Sequence, residues 1–321
     1  MDFLTPVGDP MPVSDVEMVW HRQQSLAGTL RRATRRSVRR VLRLFRRGPL
    51  RRRLSRIPFS PVAGRLFDGY EVVTWRGIRI ALNPGEAHGH HVYFLDDYGS
   101  TEIDACIAHS RAGDVVVDVG ANLGFVALTV ARACPDVQVV ALEPDPAVAT
   151  WLHHNLTLND DLANRVRIVE AAATSHDGSV PFQPSAHDGN MGVGRIRTDT
   201  TYDESVFDVP ALSLGSFAAR EGLTLDIVKI DVEGTELDVL AGLFKDGCRP
   251  RILLVETHGG KARQPLHTFN RQIVDSLDGE GYRLLRLQSG NWTSLDTPAQ
   301  IGARGHLLAI RELARSARTS V

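Results

Sequence analysis

Cysteine is scarce in this chain of 321 residues, which contains only Cys106, Cys134 and Cys248. Their spacing matches neither a disulfide framework nor a zinc-binding motif. Long apolar runs are also missing, since no stretch approaches the ~20 apolar residues that a membrane-spanning helix needs. The N-terminal residues lack an apolar core followed by a cleavage site, so they do not indicate a signal peptide. Together these absences favour a reducing, cytoplasmic setting.

Lysine is also rare, because 34 of the 37 basic residues are arginines. The formal net charge is -1, yet residues 1–60 contain 14 arginines and only four acidic residues. We predict that residues 1–57 form a mobile basic tail with one marginal helix, and contact with a membrane surface or an acidic partner is an alternative. No nucleic-acid-binding motif accompanies these arginines, so we predict no nucleic-acid partner.

A strand, a glycine turn and a helix follow one another in residues 114–130. Residues 115–119 read Val-Val-Val-Asp-Val, which predicts a strand buried on both faces. Gly120 and Gly124 bracket a turn where a ligand can approach the backbone closely. A strand that enters a helix through such a turn is typical of nucleotide-binding α/β proteins.

Strand and helix patterns alternate through the remainder of the chain, which predicts an α/β fold with a mostly parallel sheet. Residues 71–82 predict a hairpin that turns near Arg76-Gly77. His88, His90 and His91 follow, and we interpret them as a surface or substrate-facing loop rather than a metal site. The region 174–210 is rich in Gly, Asp and Thr, so it predicts a lid, a substrate loop or small extra strands.

The turn at Gly120 lacks the full Gly-x-Gly-x-x-Gly pattern of dinucleotide-binding proteins, because Asn122 takes the place of the middle glycine. Asp118 lies two residues before the turn, where a carboxylate would repel a phosphate and favour a cationic ligand. Glu143 ends the next strand, where an acid can accept hydrogen bonds from both ribose hydroxyls. S-adenosylmethionine, which carries a sulfonium and no phosphate, fits this combination better than NAD.

A second group of polar residues follows the strand at 225–231. Asp231 and Glu233 end this strand, and Glu256 and His258 end the next, so all four are predicted at the carboxyl edge of the sheet, where ligands bind in open α/β folds. For transfer of a methyl group to a hydroxyl, His258 is the predicted base, with Asp231 and Glu233 as alternatives. A divalent cation on Asp231 and Glu256 is a further alternative, but we predict no metal.

Four segments carry a resemblance to a known family: residues 117–124, Glu143-Pro144, residues 227–236 (Ile-Val-Lys-Ile-Asp-Val-Glu-Gly-Thr-Glu) and residues 255–258 (Val-Glu-Thr-His). The sequence resembles the FkbM family of S-adenosylmethionine-dependent methyltransferases over about residues 90–310. This resemblance implies a class I methyltransferase fold, Rossmann-like, with seven strands and helices on both faces. It also implies O-methylation of a sugar or a polyketide-like natural product.

The predicted division of the chain follows from these elements: a basic tail at 1–57, a hairpin and helix extension at 58–112, a methyltransferase domain at 113–312 and a C-terminal tail at 313–321. One departure from the family pattern lies at Leu214-Gly215-Ser216, where the family has Leu-Asp. The missing Asp would affect the acceptor pocket or a helix cap.

The candidate site residues form two sets. The predicted donor-binding residues are Asp118, Gly120, Asn122, Gly124, Glu143 and Ala172, and the predicted catalytic residues are Asp231, Glu233 and His258. Two other functions stay open at this point: a non-catalytic module that binds S-adenosylmethionine, and an NAD-dependent oxidoreductase. A nucleic-acid methyltransferase is disfavoured, because neither an Asn-Pro-Pro-Tyr-type nor a Pro-Cys site occurs in the sequence.

Overall fold

The computed structural model describes residues 26–44, 67, 69–184, 194–197, 205–258, 266–301 and 305–311. Its α-helices are α1 (Leu26–Leu44), α2 (Ala87–His90), α3 (Ser100–His109), α4 (Phe125–Ala133), α5 (Pro146–Thr157), α6 (Leu214–Glu221), α7 (Glu236–Lys245) and α8 (Leu266–Gly279). A π-helical turn, His91–Leu95, continues α2.

The strands form a hairpin, a large sheet and a small sheet. They are β1 (Glu71–Trp75), β2 (Ile78–Leu82), β3 (Val115–Val119), β4 (Gln138–Leu142), β5 (Val166–Val169), β6 (Ala172–Ala173), β7 (Gly178–Gln183), β8 (Arg195–Ile196), β9 (Phe207–Leu212), β10 (Ile227–Ile230), β11 (Ile252–Thr257), β12 (Arg283–Gln288), β13 (Asn291–Ser294) and β14 (Gly305–Ile310).

The large sheet has the order β13-β12-β14-β11-β10-β3-β4-β5. Strands β11, β10, β3, β4 and β5 pair in parallel, whereas β14 is antiparallel to both β11 and β12. The predicted α/β class and mostly parallel sheet are therefore confirmed. The seven predicted strands are present, and β13 adds an eighth by forming an antiparallel hairpin with β12.

Both faces of this sheet are covered, and successive residues of β3 contribute to opposite cores. Val116 packs on the face that α3, α4 and α5 cover, while Val117 and Val119 pack on the face covered by α6, α7 and α8. Side chains of a strand alternate between the two faces, so a strand buried on both must be apolar throughout. This is the physical reason for the continuous valine run at residues 115–119.

The predicted hairpin at residues 71–82 is confirmed. Arg76 and Gly77 both have positive φ, at 46° and 85°, as a tight hairpin turn requires. Asn155 of α5, fully buried, ties β2 to the domain: its Oδ1 accepts from Ala81 N at 2.7 Å, and its Nδ2 donates to Leu123 O at 2.9 Å. The hairpin is thereby fixed beside the turn that follows β3.

Part of the predicted basic tail also packs on the hairpin. Arg35 of α1 is 2% exposed, and its Nε donates to Glu71 Oε1 at 3.1 Å. The same guanidinium donates to the carbonyl of Phe67. At least one arginine of this tail therefore has a structural role.

The predicted domain limits and the contact with a membrane surface or an acidic partner stay predictions. The predicted C-terminal tail at 313–321 lies outside the described residues.

The region 174–210 contributes small strands, one of the predicted alternatives. Strands β6, β9, β7 and β8 form a four-stranded sheet in that order, with a core that includes Val180, Phe182 and Val209. Within the described residues, no helix combines the length and the apolar character that crossing a membrane requires.

Candidate active site

A cavity of about 860 Å³ opens at the carboxyl edge of the large sheet, within the range of ~300–1,000 Å³ that is usual for small-molecule sites. Residues at the ends of β3, β4, β10 and β11 line it, as expected at the edge where the strand order reverses. The small sheet forms another wall through Phe182, Arg195 and Ile196. One continuous space therefore joins the glycine turn to the carboxylates that follow β10 and β11.

The turn after β3 has a left-handed backbone at three positions. Gly120, Asn122 and Gly124 have φ values of 73°, 52° and 90°. Asn122 tolerates this conformation because its own side chain is used locally: Oδ1 accepts from Leu123 N at 2.7 Å. Gly120 and Asn122 line the cavity, as predicted for donor-binding residues.

Packing alone already requires both glycines. A Cβ on Gly120 would lie 2.0 Å from the carbonyl oxygen of Asp231, and a Cβ on Gly124 would lie 2.6 Å from Leu152 Cδ1. The tight contact between the ends of β3 and β10 therefore excludes any side chain at Gly120, and a role of the two glycines in donor binding stays a prediction.

Glu143 lies beside the glycine turn, in the part of the cavity that we call the donor end. Its Oε2 accepts from Asn122 N at 2.9 Å and its Oε1 accepts from Asp145 N at 3.0 Å. Burial raises the pKa of Glu143 to about 7, although these two N–H groups favour the ionised form. Each oxygen has a second lone pair, so the carboxylate can also accept the two hydroxyls of a ribose.

Asp118 lies beneath the cavity instead of lining it. It is 1% exposed, its Oδ2 accepts from Ala127 N at 3.1 Å, and its Oδ1 is 3.0 Å from Lys229 Nζ. The predicted attraction between Asp118 and a cationic ligand is therefore corrected, because Lys229 already neutralises this carboxylate. Asp118 positions Lys229 and the first turn of α4.

Lys229, which the sequence analysis did not assign to the site, connects the two ends of the cavity. Its Nζ lies 3.0 Å from Asp118, 3.3 Å from Asp231 Oδ2 and 3.2 Å from the Gly120 carbonyl oxygen, to which it donates. Burial would lower the pKa of Lys229, but Asp118 and Asp231 hold it above its ordinary value. A lysine inside the otherwise apolar run Ile227–Ile230 was the available sequence signal.

The other end of the cavity contains an acid cluster, which we define as Asp231, Glu233, Glu236 and Glu256 around His258. The His258 Nδ1 lies 2.8 Å from Glu236 Oε1. Its Nε2 faces the other three carboxylates, at 3.3 Å from Glu256, 3.7 Å from Asp231 and 3.8 Å from Glu233. The predicted catalytic residues are thus brought together, and Glu236, which was not assigned to the site from the sequence, is a fully buried member of the cluster.

The role predicted for His258 changes in this environment. Burial alone would lower its pKa, but the carboxylates of Glu236, Glu256 and Asp231 raise it to about 10. The carboxylates therefore favour the protonated form of His258 near neutral pH in the protein without ligands, which disfavours the predicted role of His258 as the base. Burial opposes ionisation of Asp231, yet Lys229 and His258 hold the pKa of Asp231 below its ordinary value.

Further residues that line the cavity were not assigned from the sequence. His88 is neutral, because burial holds its pKa below the ordinary value, and its Nδ1 accepts from Asn122 Nδ2 at 3.2 Å. His88 therefore faces the cavity, although it lies on α2 rather than in the predicted loop. Glu102 and His306 line the opposite wall and pair at 2.8 Å.

Ala172 lies in the cavity lining, whereas Gly215 does not. Ala172, one of the predicted donor-binding residues, is buried and lines the cavity. Gly215 lies outside the cavity lining, where its Cβ would be 3.0 Å from the Gly242 carbonyl oxygen of α7. The departure from the family pattern at Leu214-Gly215-Ser216 therefore concerns contact between α6 and α7 rather than the acceptor pocket.

The fold and the cavity together define a class of protein. Read from β5 to β12, the sheet is β5-β4-β3-β10-β11-β14-β12, with the antiparallel β14 inserted between β11 and β12. The cavity contains a ribose-type carboxylate after β4, and the turn after β3 has no phosphate-binding glycine motif. This is the architecture of a class I methyltransferase that uses S-adenosylmethionine.

The chain belongs to the FkbM methyltransferase family: the family model described as "Methyltransferase FkbM domain" matches residues 118–284. Methyltransferase sdnD of Sordaria araneosa is 28% identical over 209 residues, 56% of this chain and 78% of that protein. The 2-O-methyltransferase NoeI of Sinorhizobium fredii is 31% identical over 155 residues, 44% of this chain and 62% of NoeI. The 31-O-demethyl-FK506 methyltransferase FkbM of Streptomyces tacrolimicus is 29% identical over 267 residues, 73% of this chain and 93% of FkbM.

Membership of this family confirms the predicted enzyme class and methyl donor. The residues present fit that donor, because Glu143 offers a buried carboxylate within a cavity of sufficient size. Glu143, Asn122 and Ala172 would hold S-adenosylmethionine.

Replacing Lys229 by Met should lower the free energy of unfolding by about 3–5 kcal/mol, because Asp118 is left buried without its cation. The double variant Lys229→Met/Asp118→Asn should recover part of this loss, with a coupling of roughly 1–3 kcal/mol in urea denaturation. The exposed pair Arg132–Asp161 is the control, and the same set of single and double variants there should give a coupling energy of less than about 1 kcal/mol. If the losses of unfolding free energy in the two single variants simply add up in the double variant, the assigned pairing of Lys229 with Asp118 is contradicted.

The affinity for S-adenosylhomocysteine should increase about tenfold from pH 6 to pH 8, because the ionised fraction of Glu143, with its pKa of about 7, rises from about a tenth to about nine tenths. In Glu143→Gln the affinity should be independent of pH and roughly 10- to 100-fold weaker at pH 8, as for loss of hydrogen bonds to a charged group. Isothermal titration calorimetry measures both effects, with the exposed Glu170→Gln as control. A native protein with pH-independent affinity would refute the ribose assignment.

Proposed function

We propose that the chain transfers a methyl group from S-adenosylmethionine to a hydroxyl oxygen of a sugar or a polyketide-like small molecule. The observation that carries this proposal is the continuity of the cavity, which joins the donor end at Glu143 to the acid cluster at Asp231, Glu233 and Glu256. The names of two relatives, a 2-O-methyltransferase and a 31-O-demethyl-FK506 methyltransferase, support a hydroxyl acceptor.

The reaction is an in-line displacement, in which the acceptor oxygen approaches the methyl carbon at roughly 3 Å on the side opposite the sulfur. S-adenosylmethionine supplies the methyl group through its sulfonium. As the new O–CH₃ bond forms, the electron pair of the S–CH₃ bond returns to sulfur and the hydroxyl proton must leave the oxygen. The chain therefore has to position the hydroxyl and accept its proton.

A carboxylate is sufficient for this proton transfer, since an alcohol oxygen becomes strongly acidic as it gains the methyl group. Asp231 is the carboxylate best placed for the role. Lys229 keeps it ionised and lies 3.3 Å from its Oδ2, and the Asp231 main chain contacts the donor turn at Gly120. Asp231 thus connects the orientation of the acceptor to the position of the donor.

The compartment is part of the same proposal. All three cysteines, Cys106, Cys134 and Cys248, are free thiols. Free thiols are typical of proteins in reducing surroundings, so they support the cytoplasmic setting that the sequence indicated.

The Asp231→Asn variant should lose at least about 100-fold in kcat, because general-base catalysis contributes roughly 10²–10⁴-fold. Its affinity for S-adenosylhomocysteine should change by less than about threefold, since the donor contacts at Glu143 are intact. The assay uses methyl-labelled S-adenosylmethionine and an extract of the protein's own cell, followed by isolation of the labelled product.

The matched control is Asp136→Asn, an exposed substitution outside the cavity lining that should keep native turnover. A labelled product whose methyl group is on carbon or nitrogen would contradict O-methylation. Donor binding without any transfer by the native protein would indicate a non-catalytic module instead.

A further inference from the structure

The acid cluster contains more negative than positive side chains. Asp231, Glu233, Glu236 and Glu256 contribute four carboxyl groups. His258 contacts all four, and Lys229 contacts Asp231. Lys229 is shared with Asp118, so it does not balance the cluster alone. A further cation would stabilise such a concentration of partly buried carboxylates.

His258 is held in the orientation of a metal ligand. Its side chain is 3% exposed, and Nδ1 contacts the fully buried Glu236 at 2.8 Å. A histidine that binds a metal commonly donates its second ring N–H to a carboxylate in this way, which fixes the ring and its tautomer. The other nitrogen, Nε2, is directed into the group of carboxylates at the cavity.

The separations between the possible ligand atoms fit a small divalent cation. One atom each of Asp231, Glu256 and His258 lies within 4.8 Å of the others. The His258 Nε2 is 3.3 Å from Glu256 Oε1 and 3.7 Å from Asp231 Oδ1. A first-row cation with bonds of about 2.1 Å keeps neighbouring ligand atoms roughly 3.0–3.4 Å apart, and the two separations from His258 Nε2 are close to that range.

We propose that Asp231, Glu256 and His258 bind a first-row divalent transition-metal ion at the acceptor end of the cavity. One imidazole and two carboxylates favour an ion such as Mn²⁺ over Mg²⁺, which prefers an all-oxygen shell. Asp231 and Glu256 are each about one quarter exposed toward the cavity, so the ion keeps open positions for water or substrate. Glu236 fixes the ligand ring from behind without being a ligand.

The ion gives the cavity a site for the acceptor oxygen. A hydroxyl bound to it loses its proton more readily, which assists the transfer of that proton to the oxygen of Asp231 that does not bind the ion. This catalytic role rests on the proposed methyl transfer, whereas binding of the ion does not. The two proposals are therefore tested by separate measurements.

The test is a Mn²⁺ titration of the purified full chain, treated with chelator, desalted and kept free of methyl donor. The electron paramagnetic resonance signal of free Mn²⁺ reports binding. We expect one Mn²⁺ per chain, with affinity at least about tenfold lower in Glu256→Gln and in Asp231→Asn. Mn²⁺ should also raise the melting temperature of the native protein and not that of Glu256→Gln.

The matched control is Glu102→Gln, which removes one negative charge from the same cavity without changing a ligand, and it should bind Mn²⁺ within about twofold of native. Equal losses in Glu102→Gln and Glu256→Gln would reduce the effect to general electrostatics and overturn the site. Absence of Mn²⁺ binding by the native protein would overturn it as well. If labelled methyl transfer then persists in chelator, the metal inference fails and the proposed function stands.

Discussion

The contact between Lys229 and two carboxylates is the interaction on which the site depends. Lys229 comes from the middle strand of the sheet, and it joins Asp118 under the donor turn to Asp231 at the acceptor end. Its ammonium also donates to the Gly120 carbonyl oxygen, within a turn where no Cβ fits against Asp231. The donor turn and the catalytic carboxylate are therefore held in one fixed relation, which in-line methyl transfer requires.

Much of the fold was predictable because local patterns and long-range packing agree. The valine run of β3 and the hairpin turn at Arg76-Gly77 follow from periodicity and turn residues alone. The hairpin strand β13 and the short helix α2 were not predicted. Both are short, and β13 depends on pairing with β12 rather than on a pattern of its own.

The position of the site was also predictable, whereas the charge state of its residues was not. Strand ends placed Glu143, Asp231 and His258 at one edge of the sheet, as the structure has them. The sequence did not show that Lys229 neutralises Asp118, or that Glu236 folds back onto His258. The contact with Glu236 raises the pKa of the predicted base, because a pKa depends on neighbours that are distant in the chain.

We expect a single cavity to hold the methyl donor at Glu143 and the acceptor at the acid cluster. A crystal structure of the chain with S-adenosylhomocysteine would show whether it does. Both ribose hydroxyls should lie within hydrogen-bond distance of Glu143, at roughly 2.5–3.0 Å, and the sulfur should be directed toward Asp231. A ligand whose ribose lies away from Glu143, or whose sulfur is directed away from the acid cluster, would contradict this expectation.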